Sequence, residues 1–327
     1  MRIEAEEQSR QLHPGVTAAN RQSPGTLCYG FKPMTDHLIS RRTAALALLL
    51  GPAIAAGSGA GAPLAELFGV EIQGSGPDVL LLPGLASSPE VWAGLAAQLA
   101  PRHRVHLIDV AGFAGRPPVP NAAPLAANLA HALADYMGRN ALTSSAVVGH
   151  SFGGEVALML AARHRQAVGR LVVVDALPFY SLLFDPAATE QSAAPGAHAM
   201  RAAFLAATEQ QLIAIQEAGA ARLATGAESR AAISRWGRQS DLRTVAEAAY
   251  ELSTTDLRPE LPLIKAPTTV IYAYHPSYGP AEQVDAAFAA AYRGLGQARL
   301  VRIDDSRHFV MLDQPEAFHA AVGEALR

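Results

Sequence analysis

A chain of 327 residues is long enough for one large domain carrying an insertion, or for two ordinary domains. Half of the residues are hydrophobic and 17% are charged, which leaves ample apolar surface to bury and argues against disorder. A net charge of −3 gives no electrostatic footprint for nucleic acid or an anionic membrane, and a lone cysteine, Cys28, excludes a disulfide framework and a cysteine-rich zinc site.

Residues 1–33 are polar, aperiodic and interrupted by Pro14, Pro24 and Gly25; they read as disorder or as sequence upstream of a start at Met34. From Met34 runs MTDHLISRRTAALALLLGPAIAAGSGAGA, in which the basic pair Arg41 and Arg42 precedes an apolar run and then small residues. That order is the order of an export signal, and Ser40-Arg41-Arg42 resembles the start of a twin-arginine signal. A retained anchor and a cytoplasmic extension are the competing readings. The run is shorter than the roughly 20 residues that span a bilayer, and Pro52 interrupts it. The expectation is a periplasmic or secreted protein beginning between Ala56 and Pro63, with residues 1–62 outside the folded core. The glycines at 57, 59 and 61 lack the flanking strand and helix that a dinucleotide loop requires.

From Pro63 onward, apolar runs alternate with helical stretches. Segments 78–82 (DVLLL), 105–109 (VHLID), 146–149 (AVVG), 171–175 (LVVVD), 269–273 (TVIYA) and 299–303 (RLVRI) read as short buried strands. Between them, 89–100, 123–139, 152–165 and 281–292 carry apolar residues at spacings of three and four. Continuous apolar strands separated by helices predict a mostly parallel sheet covered on both faces. The alternation breaks between Phe179 and Glu260, where Ala-rich helical sequence such as 199–218 and 242–252 predicts an all-helical insertion over the strand ends. The expected division is a core of 63–178 and 261–327 with a cap of 179–260. Gly219 and Gly226 fall near expected helix ends, where a lid could hinge; Tyr180, Phe184, Phe204, Trp236 and Tyr250 could line a pocket or simply pack the cap. His103 and His106 fall on opposite faces of a strand and no HExxH pair occurs, so no metal site is expected.

Three pieces carry chemistry. Gly149-His150-Ser151-Phe152-Gly153-Gly154 stands between a buried strand and the amphipathic helical run EVALMLAARH. A nucleophile on a sharp strand-to-helix turn needs small neighbours, and the helix start behind it offers N–H groups to a developing oxyanion. Upstream, DVLLL runs into Pro83-Gly84-Leu85-Ala86-Ser87-Ser88, so the Leu85 and Phe152 amides are the candidate oxyanion donors. Near the C-terminus, strand 299–303 leads to Asp304-Asp305-Ser306-Arg307-His308-Phe309, which brings His308 to the edge that carries the turn.

Taken together, PGLASSPEVW, HLIDVAGFAG, GHSFGG, LVVVDALP and SRHFVMLDQPEAF resemble the α/β-hydrolase superfamily from about residue 63 to the end. The resemblance implies an eight-stranded sheet, a Ser–acid–His triad in that chain order, and acyl chemistry through a covalent serine intermediate without cofactor or metal. Ser151 and His308 match the family's positions. The acid does not: after the seventh strand, where many members carry it, this chain has Tyr272-Ala273-Tyr274-His275-Pro276-Ser277. Asp175, at the end of LVVVD, is the first candidate, since some members place the acid there and the chain order is kept. Asp285, and after it Glu282, could reach back from the following helix, and a missing acid is the third possibility. Asp109, Asp304 and Asp305 are poor substitutes. The expected activity is hydrolysis of a small or medium carboxylic ester, a small molecule admitted beneath the cap. Lactonase, carbon–carbon hydrolase, perhydrolase and slow-turnover receptor roles use the same residues.

Overall fold

Seven strands form a single sheet in the order β1-β3-β2-β4-β5-β6-β7: Phe68–Gly74 (β1), Asp78–Leu82 (β2), Arg104–Val110 (β3), Ser145–His150 (β4), Val168–Val174 (β5), Thr268–Ala273 (β6) and Arg299–Ile303 (β7). β1 pairs antiparallel with β3, and every other neighbour is parallel. This computed structural model describes residues 66–327. The proposed export signal and Cys28 lie outside the described residues. Among those described, no helix is long and apolar enough to cross a membrane.

The parallel strands form where the sequence is continuously apolar, because helices cover both faces of the sheet. Leu80, Leu81, Val147, Val148, Val172, Val173, Val270 and Ile271 are all 1% exposed or less. Each fully buried Val, Leu or Ile contributes roughly 1.5–3 kcal/mol relative to exposure. The covering helices are Ala93–Leu99 (α1), Leu125–Arg139 (α2), Phe152–Arg163 (α3), Ala281–Ala291 (α8) and Pro315–Ala325 (α10), with a single turn, Val310–Asp313 (α9), before the last. Trp92 closes the α1 side by stacking on Phe318 of α10 at 6.1 Å. Between β5 and β6 stand four helices: Glu190–Ala206 (α4), Glu209–Leu223 (α5), Ala227–Gln239 (α6) and Leu242–Thr254 (α7).

Several expectations need correction. The sheet has seven strands among the described residues, not eight. Its antiparallel edge, β1, was missed because its side chains are mostly half-buried or exposed, Ile72 to 54%, so no apolar run marks it. The stretch after the turn, α3, is not amphipathic; every residue from Phe152 to Ala162 is buried. The stretch 199–218 is not one helix. Thr208 ends it, accepting a hydrogen bond from the Gln211 N–H while the Gln211 side chain accepts from the Thr208 N–H, which starts α5 afresh. Gly219 lies inside α5 and is therefore no hinge, whereas Gly226 does sit at a helix boundary, as N-cap of α6.

The inserted helices are tied to the core at several places, among them the α6–α7 junction, where the Asp241 N–H donates to the Gly112 carbonyl and the Gly115 N–H to the Gln239 carbonyl, and two further ones. Glu251 of α7 accepts from the Ala126 and Ala127 amides in the first turn of α2, at 2.9 and 3.0 Å. The end of α5 is stitched to the loop 307–313: the Phe309 N–H donates to the Leu223 carbonyl (3.0 Å), the Arg307 guanidinium to the Ala221 carbonyl, and the Thr225 N–H to Asp313 (2.9 Å).

Candidate active site

Ser151 is the single residue between β4 and α3. Its backbone stands at φ 53°, ψ −118°, outside the regions that L residues ordinarily occupy. Such a conformation costs on the order of 1–3 kcal/mol and persists only where neighbours enforce it. Two glycines do so by close approach. A Cβ on Gly149 would lie 2.1 Å from the Gly153 carbonyl oxygen, and one on Gly153 would lie 2.4 Å from that of Leu82. The Ser151 N–H donates to the Val174 carbonyl at 3.0 Å, which pins the turn to the end of β5.

Asp175 follows β5 directly, with its side chain 1% exposed. Oδ1 accepts from the Ala273 N–H at 2.9 Å, and Oδ2 stands 2.6 Å from His308 Nδ1. A carboxylate can only accept, so Nδ1 carries the proton and Nε2 is left as the free acceptor. His308 rides the loop after β7, which folds back over β6 by donating the Ser306 N–H to the Tyr274 carbonyl at 3.0 Å. Asp285 is engaged elsewhere: the Tyr272 hydroxyl donates to it at 2.8 Å and Arg302 at 2.6 Å. Glu282 is exposed in the first turn of α8. Asp304 is paired with Arg302, and Asp109 with Arg116. The structure thus brings Ser151, Asp175 and His308 to one edge of the sheet and leaves the other candidate acids away from the imidazole.

The loop after β2 passes over the same turn, since a Cβ on Gly84 would be 3.3 Å from Ser151 Cβ. Among the described residues, neither the Leu85 N–H nor the Phe152 N–H has a protein acceptor. Phe152 opens α3, so its amide lacks an intrahelical partner and sits at the positive end of the helix dipole. A cavity of about 80 Å³ adjoins Phe152 and the Ser151 turn. Ser151, Asp175 and His308 border it from the sheet side, and Tyr180, Leu223 and Leu252 from the inserted segment. Among the described residues no cluster of three or more His, Cys, Asp or Glu could hold a metal; His106 is held by Asp78 and Tyr136, each at 2.8 Å.

A family model described as the alpha/beta hydrolase fold matches residues 77–315. The chain belongs to this family. Among curated relatives, the pimeloyl-(acyl-carrier protein) methyl ester esterase of Nitrosomonas europaea is 29% identical over 258 residues, 76% of this chain and 95% of that protein. The enzyme of the same name from Aromatoleum aromaticum is 29% identical over 77% of this chain and 98% of its own. Among solved structures, a thermophilic esterase from Thermogutta terrifontis superposes with a TM-score of 0.65 at 24% identity, covering 80% of this chain and 93% of that one. The enol-lactonase of Burkholderia xenovorans LB400 gives 0.62 at 22% identity, covering 79% and 96%.

Two residues of this α/β hydrolase were not anticipated from sequence. His150, the other side chain of the turn, is fully buried with its ring centroid 4.5 Å from that of His308. Its Nε2 lies 3.0 Å from the His308 carbonyl oxygen, an acceptor, so Nε2 carries the proton and donates. Burial, and then the nearby His308, hold His150 well below the usual histidine range, so it stays neutral. The second is Glu155, a carboxyl on the cavity wall with its Oε1 buried and unpartnered. A lone charged residue inside the run FGGEVALML was the available signal.

Proposed function

We propose that this protein is a serine esterase that hydrolyses small or medium carboxylic esters through Ser151, His308 and Asp175. The observation that carries the reading is the 2.6 Å contact between His308 Nδ1 and a buried Asp175 carboxylate, with His308 and Ser151 bordering one cavity. Asp175 fixes the tautomer, and His308 Nε2 takes the Ser151 hydroxyl proton as Oγ forms a bond to the ester carbonyl carbon. The resulting oxyanion accepts from the Leu85 and Phe152 amides; one such donor is typically worth about 100- to 1000-fold in rate. Collapse breaks the carbon–oxygen bond to the alcohol, which leaves with the proton from His308. Water, deprotonated by the same imidazole, then attacks the acyl-serine carbonyl and releases the acid. The names of the full-length relatives, methyl ester esterases, support ester hydrolysis over the other chemistries that share this arrangement.

Turnover of p-nitrophenyl acetate, butyrate and octanoate by the purified protein tests the reading. Hydrolysis is expected for the shorter chains, with covalent labelling by a fluorophosphonate. Ser151→Ala should remove both while leaving the fold unchanged. Near-normal turnover by that variant would refute the mechanism.

A further inference from the structure

Glu155 sits in the first turn of α3, where its N–H donates to the Ser151 carbonyl at 3.1 Å. It is 1% exposed. Its Oε1 is sealed from solvent and has no hydrogen-bond partner. Leaving a buried acceptor unsatisfied is unfavourable by about as much as a whole hydrogen bond contributes, so such a group points to something that completes it. The same carboxyl borders the cavity that Ser151 and His308 share, among Leu177, Leu252 and Phe288. Arg222 and Tyr180 of the inserted segment border the cavity too, and a few polar groups on a mostly apolar wall are the usual means of orienting a small ligand.

We propose that Glu155 is a specificity-determining residue: a buried carboxyl that donates a hydrogen bond to a second carbonyl group carried by the ester, about one helical turn from the scissile carbonyl. The proposal rests on Ser151 being the nucleophile. The Glu155 N–H bond to the Ser151 carbonyl sets the two residues one helical turn apart, about 5.4 Å along the axis, which corresponds to a keto group three or four carbons along the chain. The cavity, about 80 Å³, has room for roughly two or three water-sized groups at about 30 Å³ each, the two or three methylenes between the carbonyls. The surroundings favour the neutral acid. Burial, and then the carboxyl of Glu251 from α7, push Glu155 well above the usual carboxylate range, and Arg163 further along α3 opposes them without prevailing. The Tyr292 hydroxyl, whose own ionisation Glu155 disfavours, donates to the Ala176 carbonyl at 2.8 Å. A protonated carboxyl has one O–H to give, which suits a ketone or second ester carbonyl rather than an ammonium.

The test compares methyl 4-oxopentanoate and methyl 5-oxohexanoate with methyl pentanoate and methyl hexanoate on the wild-type chain, Glu155→Leu and Glu155→Gln. The wild type should favour one keto ester by roughly three- to tenfold in kcat/KM, the worth of one neutral hydrogen bond. Glu155→Leu should erase the preference, and Glu155→Gln should keep part of it, because an amide N–H also donates. In Ser151→Ala protein, where no turnover intervenes, the favoured keto ester should raise Tm more than its plain counterpart. This binding arm also decides the matter if Glu155→Leu does not fold. Equal rates in the wild type, a preference unchanged in Glu155→Leu, or a stronger preference for methyl 5-aminopentanoate overturns the proposal. If no ester is turned over and Ser151→Ala behaves as the wild type, the nucleophile assignment itself has failed, and this proposal fails with it.

Discussion

At Asp175 the strain of the site is visible in one backbone angle. Its φ is 43°, a value that β-strand residues do not adopt, and it turns the chain out of β5 with the carboxylate sealed beneath His308. Neutralising that carboxylate without changing its shape lets the amide hold the wrong tautomer, so Asp175→Asn should lower kcat on the order of 10⁴-fold with little change in Tm. Asp285→Asn should leave kcat near wild type and lose only its pair with Arg302. The opposite pattern in the same assay would move the acid to Asp285. Sequence alone could not separate the two, because each ends a plausible path to the imidazole. Their partners separate them in space: Asp285 is held by Tyr272 and Arg302, Asp175 by Ala273 and His308. His150 makes a second expectation at this scale. With its folded pKa below the unfolded value of about 6.5, the unfolded chain binds its proton first on acidification. Stability from this group is therefore complete above about pH 6.5 and declines as pH falls toward the folded value. His150→Phe should flatten that acid limb in urea unfolding measured across pH. It should also lower stability by about 1 kcal/mol at neutral pH, because the part-buried His308 carbonyl loses its donor.

Among the elements, the strands buried on both faces were legible, and so was the edge strand β7, whereas the other edge strand, β1, was not. β2, β4, β5 and β6 announced themselves as apolar runs because the sheet hides both their faces. β1 carries Glu71 and Gln73 on an exposed edge, where alternation has no reason to be strict. α3 misled in the other direction. Packed in against β4, β5 and α2, it has no solvent face to mark its period, and the glutamate in its first turn looked like an ordinary polar position. The link between α7 and α2 was invisible for a different reason: it joins residues 125 apart, and nothing local to either helix requires it. Glu251 there replaces a cap that α2 lacks, since Pro124 supplies no side-chain acceptor. Glu251→Ala should lower the unfolding free energy by about 1–2 kcal/mol, the usual worth of an N-cap, read as a lower urea midpoint.

For the whole molecule, Ser151, Asp175 and the Leu85 loop belong to the sheet, which holds them from both sides. His308 is different. Its loop hangs between two bodies: it folds over β6 on one side and bonds to the end of α5 on the other. α5 is among the less deeply packed helices of the fold, with Ala220 its one fully buried residue. Segments of that kind open locally at free energies below the global unfolding energy. When α5 lifts, the loop loses its outer support and His308 is left to its bonds with Asp175 and His150, although the sheet stays intact. On the proposed mechanism, the base is thus the first group that heat should dislodge. Activity followed against temperature should fall reversibly several degrees before the far-UV signal of the sheet melts, and a disulfide joining α5 to the loop after β7 should bring the two curves together. Coincident curves in the unmodified protein would show that the two bodies melt as one. Thermal tolerance of the activity is then governed by the seam between α5 and the loop after β7, and hardening the sheet alone should improve it little.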